Sequence, residues 1–357
     1  MKKPIVTFAR WGNYSIAFAF LLRHLGFKVI PPQKANPKNI AKGSAITPEM
    51  FCFPMKATIG SYLPALEEGA DTVFMIQNVG GSCRQRYYGV IQEKVLKENG
   101  WNVNFIDLRA SPRDMYRKLK KISGASTLKL IEATIIFFRK LGLIESLERK
   151  SQYLRPREIK RGETDMILQW AFSKLENLLE KKDFSKTKKE ILRKFSEIKT
   201  EEKKNLPKVA LIGEIYTVCD PAINFEVEKK LGNEGIEIHR QMELSYHLKK
   251  LLFPWKDWII QKKINPYLKS TVGGHGRDAI YEMLHYAKND FDGVIHLLPF
   301  GCMPEVTVRP ILEKIHQKSK IPFLSLSLDE QVAEAGINTR LEAFVDVVLN
   351  HYKNKKT

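Results

Sequence analysis

The four cysteines of the chain occur in a repeated context that suits thiolate chemistry. Cys52, Cys219 and Cys302 each stand two residues before a proline, and Cys83, Cys219 and Cys302 each follow an apolar run typical of a buried strand. Proline is favoured at the first helical position, so the Cys-x-Pro spacing predicts a cysteine at or just before a helix N-terminus. The unpaired amides and the helix dipole at that position lower the pKa of a thiol. We therefore expect thiolates that can react or bind a metal.

The elements that must position these cysteines are parallel strands. Cys302 is the clearest case, because strand 294–298 stops at Pro299 and a helix restarts at Pro304. In open α/β sheets, ligands bind beyond the carboxyl ends of the strands, so cysteines on several such loops could converge there. The alternative is that each cysteine is only a small buried apolar residue. The repeated placement favours a shared site.

The spacing of the cysteines restricts the kind of site. Zinc sites usually bring paired ligands such as Cys-x-x-Cys, and the sequence contains none. Ligands on separate loops of two domains suit an iron–sulfur cluster held by three or four thiolates. The rival interpretation is Cys/His catalysis using His275 or His296, but neither belongs to a local signature of a nucleophilic cysteine. We expect His296, inside an apolar strand, to be a hydrogen-bonded core residue.

Several residues near the cysteines have a functional and a structural interpretation. The turn at 273–276, Gly-Gly-His-Gly before a helix, could cradle an anion, although such a turn is more often only a turn. Glu305, at the start of a helix, would complement the helix dipole, with a ligand or proton-relay role as the second interpretation. The side chains after Cys83 would support a cluster or an anionic substrate, or would face water; they are Arg84, Arg86, Tyr87 and Tyr88.

Composition sets broad limits on the class of protein. The 357 residues allow two domains, and four cysteines are too few for a disulfide framework, so we expect a cytoplasmic location. The longest apolar stretches are too short to span a membrane, and the start of the chain lacks a secretory pattern. The net charge of +19 comes largely from a Lys- and Glu-rich helical region, typical of a solvated surface. We therefore expect no nucleic-acid partner and no membrane partner.

Periodicity along the chain predicts an α/β fold with parallel sheets. A strand at 4–8, an amphipathic helix at 14–25 and a strand at 28–30 open a βαβ unit. The same scheme starts again after Pro207. We predict an N-terminal α/β domain at 1–110, a charged helical segment at 111–206 inserted between the domains, and a C-terminal α/β domain at 207–357.

Several segments together resemble a known family. The chain is similar to the 2-hydroxyacyl-CoA dehydratase D-component family, which includes benzoyl-CoA reductase cluster subunits and double-cubane cluster proteins, and most of all to its acyl-CoA dehydratase activase-related branch. The resemblance covers nearly the whole chain. The segments that carry it are 49–56 with Gly60, the loop of Cys83, 298–305, 327–331 and 336–344.

The resemblance implies a [4Fe-4S]-type cluster between two Rossmann-like domains, in an anaerobic setting. It also implies a separate ATP-hydrolysing activator that delivers one electron at a time, an acyl-CoA substrate, and a homodimer or heterodimer. In the family's dehydratases three cysteines hold the cluster, and Cys52, Cys83 and Cys302 match their loops. Cys219 has no clear counterpart; as a fourth ligand it would close the site or belong to a larger double-cubane centre.

Three functions stay open from the sequence. The first is an iron–sulfur reductase or a 2-hydroxyacyl-CoA dehydratase (lyase) component. The second is a non-catalytic iron–sulfur electron-transfer or maturation partner of an activator system. The third is a basic binding protein with structural cysteines. The sequence names neither a catalytic residue nor a substrate.

Overall fold

Two four-stranded parallel sheets, each surrounded by helices, form a two-domain α/β fold, as the sequence predicts. The computed structural model describes residues 4–77, 83–109, 111–178, 183–201, 205–252, 255–270 and 272–356. Within this part of the chain, no helix is both long enough and apolar enough to cross a membrane.

The N-terminal sheet has the strand order β2-β1-β3-β4. Its strands alternate with helices, and the elements up to the end of this sheet are β1 (Ile5–Phe8), α1 (Ser15–His24), β2 (Lys28–Val29), α2 (Pro37–Ile46), α3 (Phe53–Glu67), β3 (Thr72–Gln77), α4 (Tyr88–Glu98) and β4 (Asn104–Arg109). A 3₁₀ turn, Arg84–Tyr87, precedes α4. Because β2 and β3 lie on opposite sides of β1, the strand order reverses at β1. Ligands bind in such sheets at this switch point, beyond the carboxyl ends of β1 and β3.

Four helices occupy the chain between the two sheets: α5 (Pro112–Ser123), α6 (Thr127–Leu154), α7 (Glu163–Asn177) and α8 (Phe184–Ser196). Helix α6 packs against α1 of the first half and against the strand 237–240 of the second. The segment is therefore helical as predicted, while the domain limits at 110 and 206 stay a prediction.

The C-terminal sheet repeats the topology, with the order β6-β5-β7-β8. Its elements are β5 (Lys208–Gly213), α9 (Ile215–Cys219), α10 (Val227–Asn233), β6 (Glu237–Arg240), α11 (Leu244–Leu252), α12 (Trp255–Ile264), α13 (Gly276–Tyr286), β7 (Gly293–Pro299), α14 (Met303–Ser319), β8 (Phe323–Leu328) and α15 (Glu334–Lys356). All seven residues of β7 are buried, as expected of a central parallel strand. Cys83 follows β3 and Cys302 follows β7, so the two cysteines follow corresponding strands of the two sheets.

Two local features differ from what the turn-forming residues predict, which is a loop at 31–48 and a possible break at Gly60 in the helix after Cys52. Residues 31–48, expected to be a loop, contain α2, because the Asn36 side chain accepts a hydrogen bond from the Asn39 amide at 3.0 Å and Pro37 occupies the first turn. Helix α3 runs through Gly60 without a break. A Cβ at Gly60 would lie 2.2 Å from the Asn39 carbonyl oxygen, so this glycine allows α2 and α3 to approach closely.

Candidate functional site

The loops of Cys52 and Cys302 dock directly on each other. Each cysteine is the N-cap of a helix, α3 and α14 respectively, as the Cys-x-Pro spacing predicts. The amide of Phe53 donates to the Phe300 carbonyl oxygen at 3.1 Å, across the two domains. Gly301 has a φ of +73°, and a Cβ there would lie 3.3 Å from the Cys52 Cα. A glycine at 301 therefore lets the two cysteine loops touch.

Arg84 joins the third cysteine loop to the other two. Cys83 is the N-cap of the 3₁₀ turn that begins at Arg84. The Arg84 guanidinium donates to the carbonyl oxygens of Met50 and Gly301 and lies 5.7 Å from the centre of the Phe51 ring. One side chain thus contacts the residues just before Cys52 and just before Cys302.

The glycine turn at 273–276 completes this arrangement. A Cβ on Gly274 would lie 3.2 Å from the Pro304 Cγ and 3.8 Å from the Cys83 Cβ. The turn therefore stands between the Cys83 loop and the start of α14. Nearby, the buried Lys56 ammonium on α3 forms an ion pair with Glu330, just beyond β8, which ties the two domains together again.

Burial, rather than the helix dipole, determines the direction in which the thiol pKa values of this site are shifted. Cys52 and Cys302 are only 8% and 7% exposed. Burial raises the pKa of Cys83 to about 11, and it raises the pKa of Cys52 and of Cys302 as well. The expectation of lowered thiol pKa values is therefore wrong for the protein without a bound cation, because desolvation outweighs the favourable amides. A charge on Cys52 raises the pKa of Cys83 and of Cys302 further, so Cys52 lies within electrostatic range of both.

Two carboxylates add negative charge around the sulfurs. Glu214, directly after β5, raises the pKa of all three thiols. Its own pKa is raised to about 7 by burial, although it accepts a hydrogen bond from the Thr217 amide at 3.0 Å. Glu305 is fully buried, and its Oε2 lies 2.9 Å from the His296 Nε2. Its Oε1 has no hydrogen-bond partner among the described residues.

His296 is the core histidine that the sequence predicts, since it is fully buried and its Nδ1 lies 3.3 Å from the Ser325 hydroxyl.

The aromatic and basic residues after Cys83 divide into two groups. The Tyr88 hydroxyl lies 2.7 Å from the Cys52 sulfur, so Tyr88 and Arg84 belong to the site. Arg86 lies over the exposed Tyr87 ring, 4.9 Å from its centre, on the outside of the protein.

Cys219 lies in different surroundings. It ends the short helix α9 instead of preceding a helix, so the predicted N-terminal position is wrong for this cysteine. Asp220 turns to pair with Arg10 at 3.0 Å, which draws the Cys-x-Pro segment into the domain interface. The Cys219 sulfur donates to the Met242 carbonyl at 3.3 Å and lies 3.9 Å from the Tyr14 hydroxyl.

The donor set at the site consists of three thiols from both domains, of which Cys52 and Cys302 are buried and Cys83 is partly exposed. Across the described ranges, no group of three or more His, Cys, Asp or Glu side chains is arranged to hold a metal ion. Three thiols on separate loops are nevertheless the ligand type that iron–sulfur clusters use. The chemistry of the donors therefore fits a cluster.

Comparison with known families agrees with this architecture. The model of the family described as "CoA enzyme activase uncharacterised domain" matches residues 7–242, which is more than half of the chain. The chain belongs to this family. The matched range contains most of the N-terminal sheet, the helical segment and the strands β5 and β6. No curated protein matches the chain.

A second family model matches the C-terminal domain of this CoA enzyme activase family member. The model is that of the 2-hydroxyglutaryl-CoA dehydratase D-component, over residues 276–348. That range contains Cys302, the helices α13 and α14, and the first part of α15. The two matches together confirm the resemblance to the activase-related branch of the 2-hydroxyacyl-CoA dehydratase family.

Sequence reasoning missed Glu214 and the pairing of Lys56 with Glu330. An acidic residue directly after a buried strand was the available signal for Glu214, because it stands at the carboxyl end of β5. Lys56 and Glu330 both lie in segments that carry the family resemblance. Their contact joins residues 274 positions apart, which no local pattern reveals.

Proposed function

We propose that this protein is an iron–sulfur member of the 2-hydroxyacyl-CoA dehydratase-like family. In this proposal Cys52, Cys83 and Cys302 hold a [4Fe-4S]-type cluster between the two α/β domains. An ATP-hydrolysing activator supplies the electrons for a low-potential reduction or dehydration. When bound, the cluster would supply one-electron transfer at low potential.

The observation that carries the proposal is the joining of three cysteine loops at one place. Cys83 and Cys302 follow corresponding strands of two sheets with the same topology, at the edge where such sheets bind ligands. Cys52 contacts the Cys302 loop directly, and Arg84 bonds to both loops. Separate structural cysteines would need no such arrangement.

The geometry required by a cluster differs from that of a single ion. Each thiolate of a cubane binds a different iron atom, so the ligands of a cluster lie farther apart than those of one ion. The raised thiol pKa values are also compatible with cluster binding. Three desolvated thiolates, two of them fully within the protein, are costly alone beside Glu214 and Glu305, and cationic iron would offset their charge. Binding would therefore release the thiol protons.

The protein's own residues have distinct roles in this proposal. Tyr88 donates a hydrogen bond to the Cys52 sulfur and fixes its direction. Arg84 keeps the loops together and brings positive charge towards the thiolates. The low exposure of Cys52 and Cys302 keeps water away from the sulfurs. Cys219, bonded to Met242 in other surroundings, is not part of the proposed three-thiolate set.

An exposed apolar rim supports a protein partner at this site. Met50, Phe300, Met303 and Val306 flank the Cys52 and Cys302 loops, and each is at least half exposed. Exposed apolar patches of this kind mark interaction surfaces. Docking of the activator on this rim would bring an electron donor close to the sulfurs.

The cavity beside the site favours a substrate over the electron-transfer alternative. A cavity of about 950 Å³ is lined in part by Gln85, Gly274 and His275. Gly274 is also the residue that approaches Cys83. A pure electron carrier needs no cavity of this size next to its cluster, whereas a reductase or dehydratase does.

The test is reduction by the activator. The protein is purified without oxygen and mixed with an ATP-hydrolysing activator of this family, reductant and ATP, and electron paramagnetic resonance is recorded before and after. We expect the signal of a reduced [4Fe-4S] cluster that requires both activator and ATP. Cys83→Ala should lack this signal, and a non-hydrolysable ATP analogue should prevent it. A protein that carries no iron, or whose cluster the activator cannot reduce, would contradict the proposal.

A further inference from the structure

An apolar cavity of about 950 Å³ lies beside the cysteine loops. It begins beside the carboxyl ends of β1 and β3, at Trp11 and Ile76, and extends beneath the helical segment. Its walls include the buried side chains Leu119 of α5 and Leu130 and Phe137 of α6. Cavities of roughly 300 to 1,000 Å³ hold small organic ligands in proteins. The size and lining therefore suit an extended apolar molecule.

The entrance of the cavity is also apolar. Ile131, Ile135 and Phe138 line it from α6, yet each is more than 40% exposed. Their spacing of four and three residues places them on one face of the helix. Apolar side chains exposed together at a cavity mouth gain free energy when a ligand covers them.

Hydrogen-bond donors collect at the end of the lining that the glycine turn forms. The rings of His247 and His275 are 4.4 Å apart, and burial lowers the pKa of both, so they are neutral imidazoles at pH 7. Lys250 is paired with Asp257 at 2.7 Å and Asp278 at 2.8 Å. The carboxylates of Asp257 and Asp278 are thus each paired with a cation.

Arg277 is the cation that is held least tightly at this end. Its guanidinium lies 3.4 Å from the Gln261 amide oxygen and 3.9 Å from the Asp257 carboxylate, both long contacts. Its N–H groups can therefore turn to a better acceptor, whereas the His247 Nε2 already lies 2.8 Å from the Met242 sulfur. A ligand with an oxygen acceptor at one end of an apolar body would match the cavity along its length.

We propose that this cavity binds a chain-like or ring-containing apolar molecule that ends in a carbonyl or carboxylate oxygen, such as a medium-chain carboxylic acid. The oxygen end would lie by Arg277 and His275, next to the Gly274 turn that contacts the Cys83 loop. The idea that such a ligand is a substrate rests on the proposed function. The idea that the cavity binds the ligand does not, because none of the cysteines lines the cavity.

The test uses calorimetric titration of the full chain, with and without its iron, against decanoate below its micelle concentration. We expect saturable binding of one decanoate per chain in both forms. Decyltrimethylammonium, which has the same chain and no oxygen acceptor, should bind at least tenfold more weakly. Acetate, which has the oxygen end and no chain, should not bind.

Two pairs of variants locate the ligand. Ile135→Trp should fill the mouth and weaken decanoate binding at least tenfold, while Ile159→Trp, on an exposed residue outside the cavity lining, should not. Arg277→Gln should weaken decanoate about tenfold, as expected for a lost charged hydrogen bond. Arg309→Gln, on exposed α14, is its control.

Some results would overturn the inference. They are the absence of saturable decanoate binding, equal binding of decyltrimethylammonium, or no effect of Ile135→Trp. If the protein does not bind decanoate but self-associates through α6, and Ile135→Trp abolishes this association, then the mouth is a protein interface and not the entrance to a ligand site. Decanoate binding by iron-free protein that never accepts electrons would uphold the cavity and reject the proposed function.

Discussion

Replacing Arg84 by methionine should loosen the cysteine site without unfolding the protein. Arg84 bonds to the carbonyls of Met50 and Gly301 and covers the Phe51 ring. The substitution keeps a long apolar side chain and removes the donors. Since Arg84 lies in a 3₁₀ turn and not in a strand of either sheet, the cores should stay intact.

The magnitude follows from these bonds. A hydrogen bond from a charged donor contributes about 1.5–3 kcal/mol, and partial exposure of Arg84 reduces that value. We take about 2–3 kcal/mol for both bonds together, as the free energy that holds the loops closed. At a factor of ten for each 1.4 kcal/mol, the open population should rise roughly 30- to 150-fold.

The assay is the reaction of the iron-free protein with a thiol reagent. Cys52 and Cys302 are buried, so they should react only when their loops open, at a rate proportional to the open population. Arg84→Met should speed their reaction roughly 30- to 150-fold, the ratio expected for about 2–3 kcal/mol. The melting temperature should fall by only a few degrees. In the iron-loaded protein, a chelator should remove iron faster by a similar factor.

Arg86→Met is the matched control, because Arg86 stands two residues away and lies over the exposed Tyr87 ring on the outside. It should leave both rates unchanged. Equal rates in the two variants and in the wild type would refute the reasoning that Arg84 joins the loops. Acceleration only together with a large loss of melting temperature would refute it too.

Three further predictions concern the surroundings of the site. Gly301→Ala should destabilise the protein by about 1–2 kcal/mol in urea unfolding, because φ is +73° there, whereas Gly336→Ala on α15, with open space around it, should not; equal midpoints would contradict this. Burial raises the pKa of Glu214 from 4.5 to about 7, so the native state binds the extra proton and loses stability as pH rises through that window. Glu214→Gln should remove up to about 3 kcal/mol of that loss between pH 4.5 and pH 8 in urea titrations of iron-free protein, and an unchanged difference would reject the assignment. Val306→Asp on the exposed rim should slow activator-dependent reduction at least tenfold, while Val347→Asp, equally exposed on α15, should not; identical rates would place the partner elsewhere.

The sequence predicts the sheets and the cysteine loops well because their signals are local. Strands such as 294–298 are continuous apolar runs, and the Pro after Cys52 and Cys302 sets the helix start within two residues. The same signal failed at Cys219, where the tertiary pair of Arg10 with Asp220 decides the conformation. Local rules hold where no long-range contact competes.

Burial and long-range contacts account for what the sequence could not provide. The helix dipole predicts lowered thiol pKa values, but Cys302 lies under other elements and desolvation raises its pKa instead. The apolar cavity is built by α5 and α6 together with α11, which comes much later in the chain. In the sequence, the apolar residues of these helices indicate only the buried faces of amphipathic helices. A void between them depends on how three helices pack.

The most direct test of the central claim is the iron and acid-labile sulfide content of the protein purified without oxygen. Our account predicts iron and sulfide in similar amounts in the wild type and in Cys219→Ser, which keeps the hydrogen bond to Met242. It predicts their loss in Cys52→Ala, Cys83→Ala and Cys302→Ala, each with a melting temperature close to that of iron-free wild type. Wild-type protein without iron, or alanine variants that keep a full complement of iron and sulfide, would contradict it.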